Sequence, residues 1–297
     1  MTDETRPRGP WDVDPAKEAL ASAGSTSREY RLGRIGVRLE RSAPGAVKED
    51  AVHKGQHPAW ALISTALLGG FIWYVSGSWV VAVAAIFGLF VHEYGHVLAM
   101  NRLGMGPARI YIVPFLGGMA RSQRLPESEW HGVLVSLAGP LFGTLATLPF
   151  FAGWALTGQQ AWLVGAFAIS MINLVNLAPA PPLDGSKALG PVLAKVHPML
   201  EKAAMVLVGV LVVLWGVSNG SYIFAGFLAL ALIGHLRRGA WRPEGLPLTG
   251  AEAGLSIGAF LLTGAVCAVA AMAALIPLAG SLDGAVGVGL RYLEFGR

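Results

Sequence analysis

Seven runs of mainly apolar residues limit what this chain can fold into. They lie at roughly 59–75, 79–101, 131–156, 161–180, 203–217, 221–236 and 252–277, near the ~20 residues with which a helix crosses bilayer hydrocarbon. Composition agrees with that reading. Of 297 residues, 54% are hydrophobic and only 13% charged, with a mean hydropathy of +0.56. Soluble chains usually carry about 25% charged residues. The pattern predicts an all-α polytopic membrane protein of about seven transmembrane helices.

The loops sort by charge. SGS at 76–78, TGQQ at 157–160 and SNGS at 218–221 hold no Lys or Arg. The alternate loops hold Arg102, Arg109, Arg121 and Arg124, then Lys187, Lys195 and Lys202, then Arg237, Arg238 and Arg242. Short loops rich in Lys and Arg stay cytoplasmic. This predicts a multi-pass protein of the cell membrane with its N-terminus inside and its C-terminus outside. The pI of 9.4 is therefore a topology signal. No basic stripe with interleaved aromatics accompanies it, so no nucleic-acid partner is expected. The single cysteine, Cys267, rules out an internal disulfide or a cysteine-based metal cluster.

The opening MTDETRPRGPWDVDPAKEAL mixes charges and is followed by no apolar h-region, unlike a signal peptide. Residues 1–57 read as a polar, largely disordered cytoplasmic tail, in which REYRLGRIGVRLE at 28–40 can form a strand or two near the membrane surface. Residues 58–195 form the expected core, and 196–297 the C-terminal helices and tail. The stretch after 280 is too polar and glycine-rich for a span.

Against this apolar background, FVHEYGHVLAM at 90–100 places two histidines and a glutamate inside a span. Ionisable residues at membrane depth are costly and mark functional sites. His92 and His96, four apart, share one helix face and can aim both imidazoles at one ion. Glu93 can reach a water beside that ion. This H-E-x-x-H spacing suits zinc with a general base, and a catalytic zinc takes a third protein ligand. Downstream acidic residues lie in polar loops, at span ends or in the tail, with one exception. Asp184 sits in NLVNLAPAPPLDGSKALG, just after an apolar span broken by Pro179, Pro181 and Pro182. Its span and the HEYGH span both run from outside to inside, so Asp184 and the histidines fall toward the same cytoplasmic side.

Several separate motifs resemble the site-2 protease family of intramembrane zinc metalloproteases, over roughly 59–195 of the chain. HEYGH fits the family's first motif at His92, Glu93 and His96, and NLAPAPPLDG its second at Asn176, Pro179, Asp184 and Gly185. SLAGP at 136–140 fits the element between them, and FLGGMAR at 115–121 resembles the hairpin that follows the HExxH helix. Two departures stand out. Gly143 occupies a position where relatives often carry Asn, and the roughly 29 residues between the second and third spans are too few for a PDZ insertion.

The resemblance implies a zinc endopeptidase acting on transmembrane protein substrates in the lipid bilayer. Zn2+ would be held by His92, His96 and Asp184, with Glu93 as general base. It also implies a role for Asn176 as oxyanion donor, although an interhelical hydrogen bond explains that residue equally well. RIYIVPFLGGMAR reads as a small re-entrant β-hairpin whose edge, at Gly117, Gly118 and Met119, can pair with an extended substrate. A plain interfacial loop is the alternative there. Gly139 and Gly143 are expected to let the third span pack closely on the HEYGH helix. A transmembrane metal transporter using the same ligands as a transit site is the competing function. It would need further ionisable residues across the outer halves of the spans, and these are lacking. A zinc protease of the prenylated-protein-processing type would need a downstream Glu with apolar flanks. A catalytically dead adaptor would not keep all four side chains. The sequence sets no oligomeric state.

Overall fold

The structure is a computed structural model that describes residues 26–32, 35–41, 56–114, 117–238 and 245–293. It divides into two units, Met1–Val52 and His53–Arg297. In the first, β1 (Thr26–Leu32) and β2 (Ile35–Arg41) pair antiparallel from Thr26↔Arg41 to Leu32↔Ile35. These are the strands expected within 28–40. The rest of the expected tail up to residue 55 lies outside the described residues.

In the second unit, α1 (Pro58–Ser76) and α2 (Trp79–Arg102) form a helical hairpin written locally in the sequence. Pro58 opens α1, where its missing N–H costs nothing. Gly77, at φ 65°, closes α1 in the left-handed region that glycine enters without strain. Ser78 then caps α2 by accepting from the Val81 N–H. After α2 come β3 (Arg109–Val113) and β4 (Gly117–Arg121), paired antiparallel from Arg109↔Arg121 to Val113↔Gly117. A two-stranded hairpin therefore stands where one was expected.

The third apolar run, anticipated as one span, is one membrane-length segment made of two helices, α3 (Glu129–Leu145) and α4 (Leu148–Thr157). Pro149 explains the break: its ring nitrogen cannot donate to the preceding turn, and its ring crowds that carbonyl. Next are α5 (Gln160–Asn176), α6 (Asp184–Val196), α7 (Pro198–Ser218) and α8 (Tyr222–Arg238). Last come α9 (Gly250–Ala279), opened by a Thr249–Glu252 capping box, and α10 (Leu282–Leu293). Five segments are long and apolar enough to cross a membrane: α1, α2, the α3–α4 pair, α7 and α9. The fourth and sixth expected spans correspond to shorter apolar helices, Gln160–Asn176 and Tyr222–Gly234.

The centre is built from small residues and the periphery from large ones. α2 packs most extensively on α3 and α5, and α9 lies across α5, α3 and α6. Ala84, Ala146, Ala166 and Ala274 surround Phe150 and Ile169 in one buried cluster. A Cβ added at Gly88 would stand 2.8 Å from the Ile169 side chain, and one at Gly95 2.7 Å from Phe142. Close backbone approach of this kind drives helix association where lipid tails are as apolar as leucine. Leu62, Tyr74, Leu156 and Leu230 point outward, more than 70% exposed. That inversion suits a lipid solvent.

The segment before α9 latches onto α3. Leu246 donates to the Glu127 carbonyl and accepts from Glu129 N–H, at 3.1 and 3.0 Å. The Glu129 carboxylate accepts from Leu248 N–H at 2.9 Å, and Lys195 Nζ donates to the Leu248 carbonyl at 2.8 Å. These bonds bring the start of α9 beside the end of α6, which carries Asp184 at its other end.

Candidate metal centre

His92 and His96 project from α2 into the small-residue core, 2% and 6% exposed. Asp184, at the first turn of α6, is 7% exposed and faces them. The two Nε2 atoms are 3.1 Å apart. Asp184 Oδ2 lies 3.1 Å from Nε2 of His92 and 3.2 Å from Nε2 of His96. Two ligands on one tetrahedral zinc stand roughly 3.3 Å apart when each bond is about 2.0–2.1 Å. The triangle of donor atoms therefore fits a single such ion, and its N₂O chemistry is a zinc set with room for a fourth ligand. Among the described residues, these three form the group able to hold a metal.

The far nitrogen of each ring determines what the near one can do. His92 Nδ1 lies 2.8 Å from Asn173 Oδ1, while Asn173 Nδ2 donates to the Ile169 carbonyl at 2.9 Å. The Asn173 oxygen can only accept, so the His92 proton sits on Nδ1 and the Nε2 lone pair is left for metal. His96 Nδ1 donates to the Val135 carbonyl at 2.7 Å, with the same consequence. Both tautomers are thus set by partners on other helices, α5 and α3.

Glycines make the site possible. A Cβ at Gly139 of α3 would run into both imidazoles, so only a bare backbone passes there. Gly143 is turned to Asn173 on α5 rather than to α2, which corrects half of the expected Gly139–Gly143 packing. The pair straddles the site because α3 fits between α2 and α5. Gly185 allows the Asp184 turn to press against the Leu177 carbonyl at the end of α5. A carboxylate in the first turn of α6 also lies at the favourable end of the helix dipole.

Glu93 is 5% exposed and abuts the hairpin. A Cβ at Gly118 would stand 2.6 Å from Glu93 Cγ and 3.0 Å from Oε1. Gly117 lies over Leu89, and Met119 is largely exposed. Asn176 is half-buried and donates to the Ile172 carbonyl one turn back at 2.9 Å. The fold thus unites His92, Glu93, His96 and Asp184, lays Gly118 beside them, and bonds Asn176 within its own helix. Asn173 went unnoticed in the sequence. Its signal was an amide in the apolar run SMINLVN, where a polar side chain must find a partner.

Residues 80–163 match the description of peptidase family M50. A zinc metalloprotease of Methanocaldococcus jannaschii is 27% identical over 156 residues, covering 49% of this chain and 44% of that protein. The chain therefore spans less than half the length of that relative. No solved structure matches. Neither comparison favours a transporter. The matched segment carries HEYGH and SLAGP, two of the motifs around the donor triangle, and over that segment the chain is similar to peptidase family M50, the site-2 protease family.

Proposed function

We propose that this protein is an intramembrane zinc endopeptidase that hydrolyses peptide bonds in or near transmembrane segments of other membrane proteins. The observation that carries the proposal is the contact of Asp184 Oδ2 with both histidine Nε2 atoms, 92 and 88 residues away in sequence, beside Glu93. His92, His96 and Asp184 would hold the ion. Zinc in that position supplies Lewis acidity, polarising a carbonyl and lowering the pKa of water from about 15.7 to about 7.

The chain's own residues do the rest. Glu93 takes a proton from the attacking water as its oxygen bonds to the peptide carbon. It returns that proton to the amide nitrogen as the C–N bond breaks, so one water adds across one peptide bond. Asn173 and the Val135 carbonyl keep both rings in the metal-binding tautomer. Asn176 is the second oxyanion donor in this reading, turning from Ile172 when substrate is bound.

A substrate helix hides its peptide bonds and must be extended first. β4 suits that task, entering the membrane from the cytoplasmic side as part of a re-entrant hairpin. Ile112 points both of its backbone groups away from β4, so Ile112↔Gly118 is a non-hydrogen-bonded pair. The N–H and C=O of Gly118 therefore face the other edge, beside Glu93. A substrate strand would pair there, with Gly117 and Met119 supporting it through their bonds to β3.

The chain would cross the cell membrane seven times, α5 and α8 included, with its N-terminus and the metal site toward the cytoplasm. Residues 1–57 would form its tail, 58–195 its catalytic core and 196–297 its accessory helices. The test is to score cleavage of co-expressed single-span membrane proteins while measuring zinc in the purified enzyme. Hydrolysis by wild type that stops in Glu93→Gln, with zinc retained, supports the proposal. Unchanged hydrolysis in that variant refutes it.

A further inference from the structure

The outer edge of β3 is closed by a side chain. Gln56, two residues before α1, donates from Nε2 to the Ile112 carbonyl and accepts at Oε1 from the Ile112 N–H, both at 2.9 Å. Its Nε2 also reaches Ser64 Oγ at 3.3 Å, a buried hydroxyl one turn and more along α1. The Gln56 amide thus supplies the donor and the acceptor that one residue of a neighbouring strand would supply. Ile110, two residues back on β3, has the same outward orientation. Alongside runs an apolar groove of about 420 Å³, walled by Leu62, Leu89, Phe90, Ile110 and Ile112.

Without Gln56, unpaired backbone groups would stand beside apolar walls, an arrangement that takes up extended apolar peptides. That edge is on the wrong side of the hairpin. Glu93 lies against Gly118 of β4. A peptide docked on β3 would be separated from the base by the width of the hairpin.

We propose that Gln56 is a specificity-determining residue: its amide occupies the Ile112 edge of β3, so that an extended membrane-protein segment adds to β4, beside Glu93. The inference rests on the strand-addition reading above. It assigns the residue before α1 a part in where substrate docks, acting through the hairpin and not on the reacting atoms. The same bonds also hold α1 to β3, and the experiment must separate these two roles.

The full-length protein carries either Ile110→Cys on β3 or Ala120→Cys on β4; the natural Cys267 is buried. Each is combined with Glu93→Gln to retain uncleaved substrate. The partner is a single-span test protein that wild type cleaves, with one cysteine stepped along the cytoplasmic end of its span. Disulfide cross-links are expected at Ala120→Cys and not at Ile110→Cys. Adding Gln56→Ala should raise the Ile110→Cys yield about tenfold and lower that at Ala120→Cys, with bound zinc unchanged. Gln56→Asn, whose amide is one methylene short of Ile112, should behave as Gln56→Ala does.

An Ile110→Cys yield that is the same with and without Gln56 overturns the proposal, since loosening of α1 alone would not redirect the peptide. Cross-links at Ile110→Cys while Gln56 is intact overturn it as well. If neither edge cross-links to a protein that wild type cleaves, strand addition itself is wrong, and this inference falls with it while the hydrolytic reading stands.

Discussion

The metal centre and the hairpin lie against each other but are held in opposite ways. Around His92, His96 and Asp184, helices α2, α3, α5 and α6 meet through small residues, and the partners of both rings are buried. On the other side, α1 is largely exposed and reaches the rest through α2 and β3. Gln56 provides its polar tie to the hairpin. Regions with few buried contacts open at lower free energy than packed cores. In the proposed reading, the chemistry is built into the packed half, and the handling of substrate into the half that can yield.

Substitutions can break that contrast, beginning with the largest effect. Glu93→Gln should lower peptide hydrolysis by about 10²–10⁴-fold, the usual share of a general base, and leave zinc content unchanged. Elemental analysis beside a cleavage assay checks both. Gly139→Ala should remove most bound zinc and destabilise the protein by about 1–3 kcal/mol, because its methyl group falls on both imidazoles. Zinc retained at the wild-type level in a folded Gly139→Ala protein would contradict the close approach of α3.

Asn173→Ala should weaken zinc binding about 10–100-fold, measured by competition with a chelator. Asn173→Asp, which keeps the acceptor for His92 Nδ1–H, should lose less. The contrast sharpens with Gly118→Ala, on the yielding side. Its Cβ would displace Glu93, so hydrolysis should fall by about tenfold, the scale of a small misplacement of a catalytic group, without loss of zinc. Equal loss of zinc in Gly118→Ala and Gly139→Ala would show that the two regions are one rigid body.

Much of this was legible in the chain. The helical hairpin α1–α2 is spelled out by Pro58, Gly77 and Ser78, each acting within a few residues of itself. His92 and His96 are four apart on one helix, so their common direction follows from helical periodicity. Asp184 stood out as the acidic residue beside a proline-broken apolar run. Pro149 breaks the helix within the third apolar run, yet that run remains one candidate span, as its composition suggested.

Other features were illegible for one physical reason: they depend on which helix faces which. Nothing near Asn173 in sequence reveals that its oxygen meets His92, 81 residues away. Gly139 and Gly143 looked like one packing pair, but a helix wedged between two neighbours turns successive glycines to different partners. Gln56 lies in a polar stretch, and its match to Ile112 requires α1 and β3 to lie side by side.

Local rules thus determined the apolar spans, the paired imidazoles and the carboxylate that answers them, since periodicity, capping and charge act over a few residues. Only the tertiary structure decided which tautomer each ring holds, which glycines clear the site and which edge of the hairpin Gln56 closes. Those properties belong to contacts between distant segments, where a donor, an acceptor or the absence of a methyl group has meaning only once its neighbour is in place.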